Sequence, residues 1–134
     1  MSALRIRLIG VLPALILLTA CAGNTDAPVR AVEDYIDALA AHDADRLALL
    51  SCAEWEDDAL TTLDSFAAVE VTPVDVSCEA HDVQADSARV TCSGALAVSY
   101  EGEIRQFDLA NQDFQMVRQS GSWLVCEVQQ SDVQ

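Results

Sequence analysis

The sequence predicts an α+β fold, N-terminal helices packed on a strongly curved antiparallel sheet, and three observations carry the prediction. Between residues 28 and 67 apolar residues recur at helical spacing, and from Val69 onward they alternate with polar ones. Two dipeptides suited to tight hairpins, Glu101-Gly102 and Ser120-Gly121, punctuate the alternating half. Helices first and an antiparallel meander second is an α+β order, with the helices covering one face of the sheet.

The first helix is expected from Pro28, whose fixed φ suits a first turn. Val29, Val32, Ile36 and Leu39 form its apolar stripe, with Glu33, Asp34 and Asp37 off it. His42-Asp43 ends this helix, and Asp43 caps a second, short one that buries Leu47 and Leu50. After Ser51-Cys52 a third helical pattern runs through Trp55, Ala59 or Leu60, Leu63, and Phe66 or Ala67. Val74, Val76, Cys78 and Ala80 then mark one strand. After a turn at about residues 84–87, Val90, Cys92, Gly94, Leu96, Val98 and Tyr100 mark the next. The Glu101-Gly102 turn sets Leu96 opposite Phe107 and Gly94 opposite Leu109, so that turn and pattern agree on both faces. A bulge is expected at Asn111 to Asp113. Phe114 to Arg118, the Ser120-Gly121 turn and Trp123 to Val128 complete the sheet.

The 27 residues before this pattern have another purpose. Arg5 and Arg7 precede an apolar run from Leu8 to Leu18, the layout of a secretory signal peptide. The run is shorter than the roughly 20 apolar residues that span a bilayer. Leu18-Thr19-Ala20-Cys21 resembles the lipobox of bacterial lipoproteins, and the resemblance implies that Cys21 takes a diacylglycerol and becomes the N-terminus. Residues 1–20 are then a removed signal peptide, 21–27 a lipidated tether, and 28–130 the domain. The expected address is the extracytoplasmic side of a cell membrane or outer membrane. Burying alkyl chains at about 0.8 kcal/mol per CH₂, two chains together, is what makes such attachment stable.

Beyond residue 20 five arginines face all 22 acidic residues, a formal charge of −17, and the chain has no lysine. Such a surface repels nucleic acid, excluding it as a partner, and leaves the lipid to hold the domain at the membrane. Four cysteines remain: Cys52, Cys78, Cys92 and Cys126. An even number in an exported domain reads as two disulfides, and no C-x-x-C or Cys/His spacing suits zinc. Cys78 and Cys92 flank a turn on alternating runs and face each other across a hairpin. Their pairing leaves Cys52 with Cys126, tying the helical half to the last strand.

Residues 32–47, Val-Glu-Asp-Tyr-Ile-Asp-Ala-Leu-Ala-Ala-His-Asp-Ala-Asp-Arg-Leu, resemble the opening of the nuclear transport factor 2-like superfamily, where one amphipathic helix runs into an Asp-initiated second one. Gly121-Ser122-Trp123-Leu124-Val125 is similar to that superfamily's final strand, and the resemblance covers residues 28–129. It implies a cone with a pocket between helices and concave sheet. Ketosteroid isomerase and the SnoaL-like cyclases place carboxylates, His or Tyr there.

The candidates for such chemistry are Tyr35, Asp37, His81, Tyr100 and Asp108. Acid–base catalysis needs a carboxylate or imidazole tuned by burial and within reach of substrate. Alternation turns Asp108 and His81 outward, Asp37 lies beside the buried stripe, and His42 ends a helix. No catalytic residue carries over from the isomerase. Tyr35 and Tyr100, apolar bodies with polar tips beside expected core positions, are the pocket candidates. Glu54-Trp55-Glu56-Asp57-Asp58 lacks the alternating oxygens and glycine of a calcium loop, so no metal and no cofactor is expected. The sequence therefore points to a non-catalytic, membrane-anchored monomer that binds an envelope protein or a small apolar ligand. The alternative is a pocket enzyme of the ketosteroid isomerase or SnoaL-like type acting on a small hydrophobic substrate.

Overall fold

The computed structural model describes residues 24–131. The expected signal peptide, Cys21 and the first tether residues lie outside them. Three helices, α1 (Asp26–Ala40), α2 (Ala44–Leu49) and α3 (Glu56–Ser65), precede five strands: β1 (Glu70–His81), β2 (Ser87–Tyr100), β3 (Glu103–Asp108), β4 (Gln112–Gln119) and β5 (Ser122–Gln130). The strands pair antiparallel in the order β1-β2-β4-β5, with β3 beside the far half of β2.

α1 starts two residues before Pro28, inside the stretch expected as tether. Proline is tolerated throughout a first turn, because those N–H groups have no intrahelical acceptor in any case. The helix ends where His42 takes a left-handed φ of 55°. The His42 N–H donates to the Leu39 carbonyl (3.2 Å) and the Asp43 N–H to that of Ala38 (3.0 Å), the paired closure of a Schellman end. Asp43 then serves the next helix, its carboxylate accepting from the Arg46 N–H at 3.0 Å. An Arg46–Asp34 ion pair of 2.8 Å ties α2 back to α1. Val32, Ile36 and Leu39 from α1 bury with Leu47, Leu63, Val90, Leu96, Phe114, Met116 and Val125 in one core.

The connection Leu50–Cys52 lies along β5. The Cys52 N–H donates to the Val125 carbonyl and the Val125 N–H to that of Leu50, both at 2.8 Å. The pair of bonds covers part of the β5 edge, which is otherwise a free row of backbone groups. It also brings Cys52 to Cys126, and the two are disulfide-bonded with Cα atoms 4.8 Å apart. Cys78 and Cys92 are direct partners in the β1–β2 ladder and form the second disulfide, Cα to Cα 4.0 Å.

Both hairpin dipeptides turn as their sequences require, with left-handed φ at Glu101 (48°), Gly102 (85°), Ser120 (51°) and Gly121 (82°). The register puts Leu96 opposite Phe107, as expected, yet the two differ in burial: Leu96 is 5% exposed and Phe107 50%. The helices do not cover β3. All six of its residues are exposed, and Phe107 packs edge-on to Phe66 with ring centres 6.2 Å apart. Two further expectations give way beyond this hairpin. The β2–β3 ladder stops at Ala95–Asp108, so Gly94 does not face Leu109. The break in the long strand is a 3-10 turn over Leu109–Asn111 in place of a bulge at Asn111 to Asp113. Asp108 starts that turn, its carboxylate accepting from the Ala110 N–H at 2.8 Å, so β4 re-enters beside the near half of β2.

Candidate ligand-binding cavity

Between the helices and the concave face of the sheet lies a cavity of about 210 Å³. Its helical wall is Tyr35, Ile36 and Leu39 of α1 with Trp55 and Thr62 around α3, and its sheet wall includes Leu96, Phe114 and Val128. Leu109, held by the 3-10 turn, adds to the floor. Thr62, Gln112 and Gln130 also line it; Thr62 and Gln130 are exposed, which places the mouth at the Gln112–Gln130 end of β4 and β5.

Tyr35 follows Val32 by one turn of α1 and is only 2% exposed. Its ring meets Phe114 in a T-shaped pair, centres 6.2 Å apart. Its hydroxyl oxygen accepts the Trp55 indole N–H at 3.0 Å. Among the described residues no acceptor takes the hydroxyl's own proton. Burial raises the Tyr35 hydroxyl above its ordinary pKa; the Trp55 hydrogen bond opposes the rise and the Asp58 carboxylate adds to it. At neutral pH the Tyr35 hydroxyl is therefore protonated and able to donate a hydrogen bond. Among the described residues no carboxylate or imidazole lines the cavity.

The raised value makes alkaline stability depend on Tyr35. Below about pH 10 folded and unfolded chains both keep the proton. As pH rises past 10 the unfolded chain loses it first, and stability falls until the folded group also ionises. Each pH unit within that window costs about 1.4 kcal/mol. Urea unfolding at pH 8 to 11 is expected to show this loss in the native chain and a smaller one in Tyr35→Phe.

The other candidates lie elsewhere. Tyr100 is 55% exposed and lines a separate groove with Val69, Val98 and Phe107, so the structure does not bring the two tyrosines together. Asp37 is exposed on α1. His81 Nε2 pairs with Thr91 Oγ1 at 2.8 Å, and the His42 Nε2–H donates to the Phe66 carbonyl at 2.7 Å. Asp108 serves the 3-10 turn as described. Among the described residues no group of three or more His, Cys, Asp or Glu is placed to hold a metal ion, and no helix is long and apolar enough to cross a membrane. Trp55, which the sequence places only in the apolar pattern of the third helix, joins Tyr35 in the cavity's polar lining. Its partnership with Tyr35 spans 20 positions and leaves no local signal in the sequence.

No family model and no curated protein matches the chain. Among solved structures it is similar to a protein of unknown function with a cystatin-like fold from Nostoc punctiforme: TM-score 0.53, 12% identity, 78% of this chain and 86% of that one. A SEC-C motif containing protein from Rhodopseudomonas palustris aligns at TM-score 0.48 and 13% identity over 80% and 91% of the two chains. The likeness to the Nostoc protein is one of fold, and the domain is an α+β, cystatin-like cone.

Proposed function

We propose that this chain is an exported lipoprotein, anchored through Cys21, whose nuclear transport factor 2-like domain binds a small uncharged ligand without transforming it. The observation that carries the reading is a mainly apolar cavity whose buried polar tip, Tyr35, has a proton to donate and, among the described residues, no carboxylate or imidazole beside it. An apolar cavity of about 150 Å³ holds benzene. One of about 210 Å³ suits a compact one- or two-ring molecule, with a carbonyl or ether oxygen to meet Tyr35. The enzyme reading gains from Tyr35 projecting into the cavity with Trp55 as polar neighbour. Among the described residues lining the cavity it lacks the partner that isomerisation or dehydration requires, a group able to take a proton at neutral pH. Selective binding is what the remaining chemistry supports, and a monomer suffices for it.

Native mass spectrometry of the full chain, exported and extracted from its membrane in mild detergent, tests both halves. The expected mass lacks residues 1–20, carries a diacylglycerol at Cys21 and includes a neutral adduct that Tyr35→Phe loses. Trp55 emission is then titrated with a panel of uncharged monocyclic and bicyclic ketones. Absence of any adduct, with emission unmoved across the panel, would refute the binding reading. Turnover of a ketone in the same panel would favour the enzyme.

A further inference from the structure

A second concavity, of about 240 Å³, lies at the opposite end of the domain from the cavity mouth. It is lined by Asn24 at the start of the described chain, Val83 in the β1–β2 loop, and Arg118, Gly121 and Trp123 at the β4–β5 turn. Arg118 and Trp123 are direct cross-strand partners. Arg118 is exposed and makes no ion pair among the described residues; Val83 and Trp123 are half-buried. Arginine and tryptophan, each an apolar body with a polar end, are suited to the headgroup layer of a membrane.

We infer that this end rests on phospholipid headgroups, with Trp123 in the interface and Arg118 against lipid phosphate, so that the cavity loads from water. The inference rests on the anchor at Cys21 and goes beyond it. Two residues, Ala22 and Gly23, separate Cys21 from Asn24, a reach of at most about 11 Å, so the wall that Asn24 helps to build cannot leave the lipid surface by more. The exposed apolar group at the other end, Tyr100, Ile104 and Phe107, sits along β2 from Leu96 to Tyr100, 9 to 13 residues beyond Ser87 and roughly 30–40 Å of strand away. So short a connection does not bring that group to the bilayer. Acidic neighbours limit which lipids fit: Asp82 is engaged by Arg89 at 3.5 Å, and Asp26 and Asp86 stay exposed. Zwitterionic headgroups, which offer a phosphate without net charge, match this mixture better than anionic ones.

The orientation decides what the cavity sees. β4 and β5 run from the Arg118–Trp123 end to the Gln112–Gln130 end, roughly 20 Å along the strands. The mouth then opens into the aqueous phase and away from the acyl chains. A ligand has to arrive dissolved or be handed over by a soluble carrier; extraction from the leaflet beneath is closed to it.

The test uses the full lipidated chain in phosphatidylcholine vesicles that carry a spin label at headgroup depth. Trp55→Phe leaves Trp123 as the fluorophore, and Trp123→Phe leaves Trp55. Trp123 emission is expected to fall about twofold or more, since an interfacial indole lies within about 5–10 Å of such a label. Trp55 emission stays nearly unchanged. The two variants read the same geometry from opposite sides, so one that folds poorly does not block the measurement. Equal quenching of both tryptophans, or of neither, on vesicle-bound protein overturns the orientation and leaves the anchor standing. A chain that does not float with the vesicles overturns the anchor and, with it, the orientation.

Discussion

Replacing Cys52 and Cys126 together by alanine is expected to lower the stability of the oxidised domain by about 4 kcal/mol, more than the loss of the other disulfide. The bond closes a loop of 74 residues, against 14 for Cys78–Cys92. In the chain-entropy account these loops correspond to about 4 and about 3 kcal/mol. The first bond also secures a junction that has few other ties, the two backbone bonds between Leu50–Cys52 and Val125. Trp55 follows directly, its N–H donating to the Cys52 carbonyl at 2.9 Å. Loosening that junction lets Trp55 leave Tyr35 and opens the cavity wall. Urea unfolding of the two double variants under non-reducing conditions gives the order. A larger loss for the Cys78/Cys92 pair would show that local strand pairing, and not loop closure, dominates.

Gly94→Ala is expected to cost about 3 kcal/mol or more, through strain at a positive φ and through collision. Gly94 has φ 92°, and a Cβ there meets the Asp75 and Val74 carbonyl oxygens at 2.5 and 2.6 Å and the Asp75 carbonyl carbon at 2.7 Å. These are backbone atoms of the neighbouring strand, at the bulge where the β1–β2 register shifts between Val74 and Ser77. Asp75 itself has φ 50°. Neither strand can retreat without giving up ladder bonds on both sides of the bulge. Gly102→Ala is the control: φ is 85° and nothing lies within 4 Å of the new methyl, so only conformational strain of about 1 kcal/mol remains. Thermal unfolding of both variants separates the terms. Equal losses would mean that the approach of the two strands is not what glycine at residue 94 permits.

These two sites differ in how much of them the sequence shows. Cys78 and Cys92 lie on alternating runs around a turn, so their pairing follows from local spacing. Gly94 reads as one more position in an alternating strand. Its role comes from Asp75, 19 residues earlier, and from a bulge that breaks the alternation Val74, Val76, Cys78 without changing the residue types. The same division runs through the rest of the chain. The Asp43 cap and the Glu101-Gly102 and Ser120-Gly121 turns are legible because each is settled within a few residues. The exposure of Phe107 is not, since it depends on how far the helices extend over β3. Tyr35 and Tyr100 look alike in sequence, each beside a core position. One is sealed by Phe114 and Trp55, while the other stands open at a strand end.

The order of helices and strands, the two hairpin turns, the Asp43 cap of α2 and the cysteines available for bonding were thus all legible in the chain alone. All of these rest on forces acting between near neighbours along the chain: backbone sterics, helical and strand periodicity, and a side chain reaching its own backbone. That α1, Trp55, Leu109 and the concave face of the sheet enclose one cavity, and that Tyr35 is sealed in its wall, follows from long-range packing alone. Which surfaces meet there depends on strand bend and bulge, and on helix length relative to the sheet. Those quantities are set by packing summed over the whole core, and no short stretch of residues encodes them.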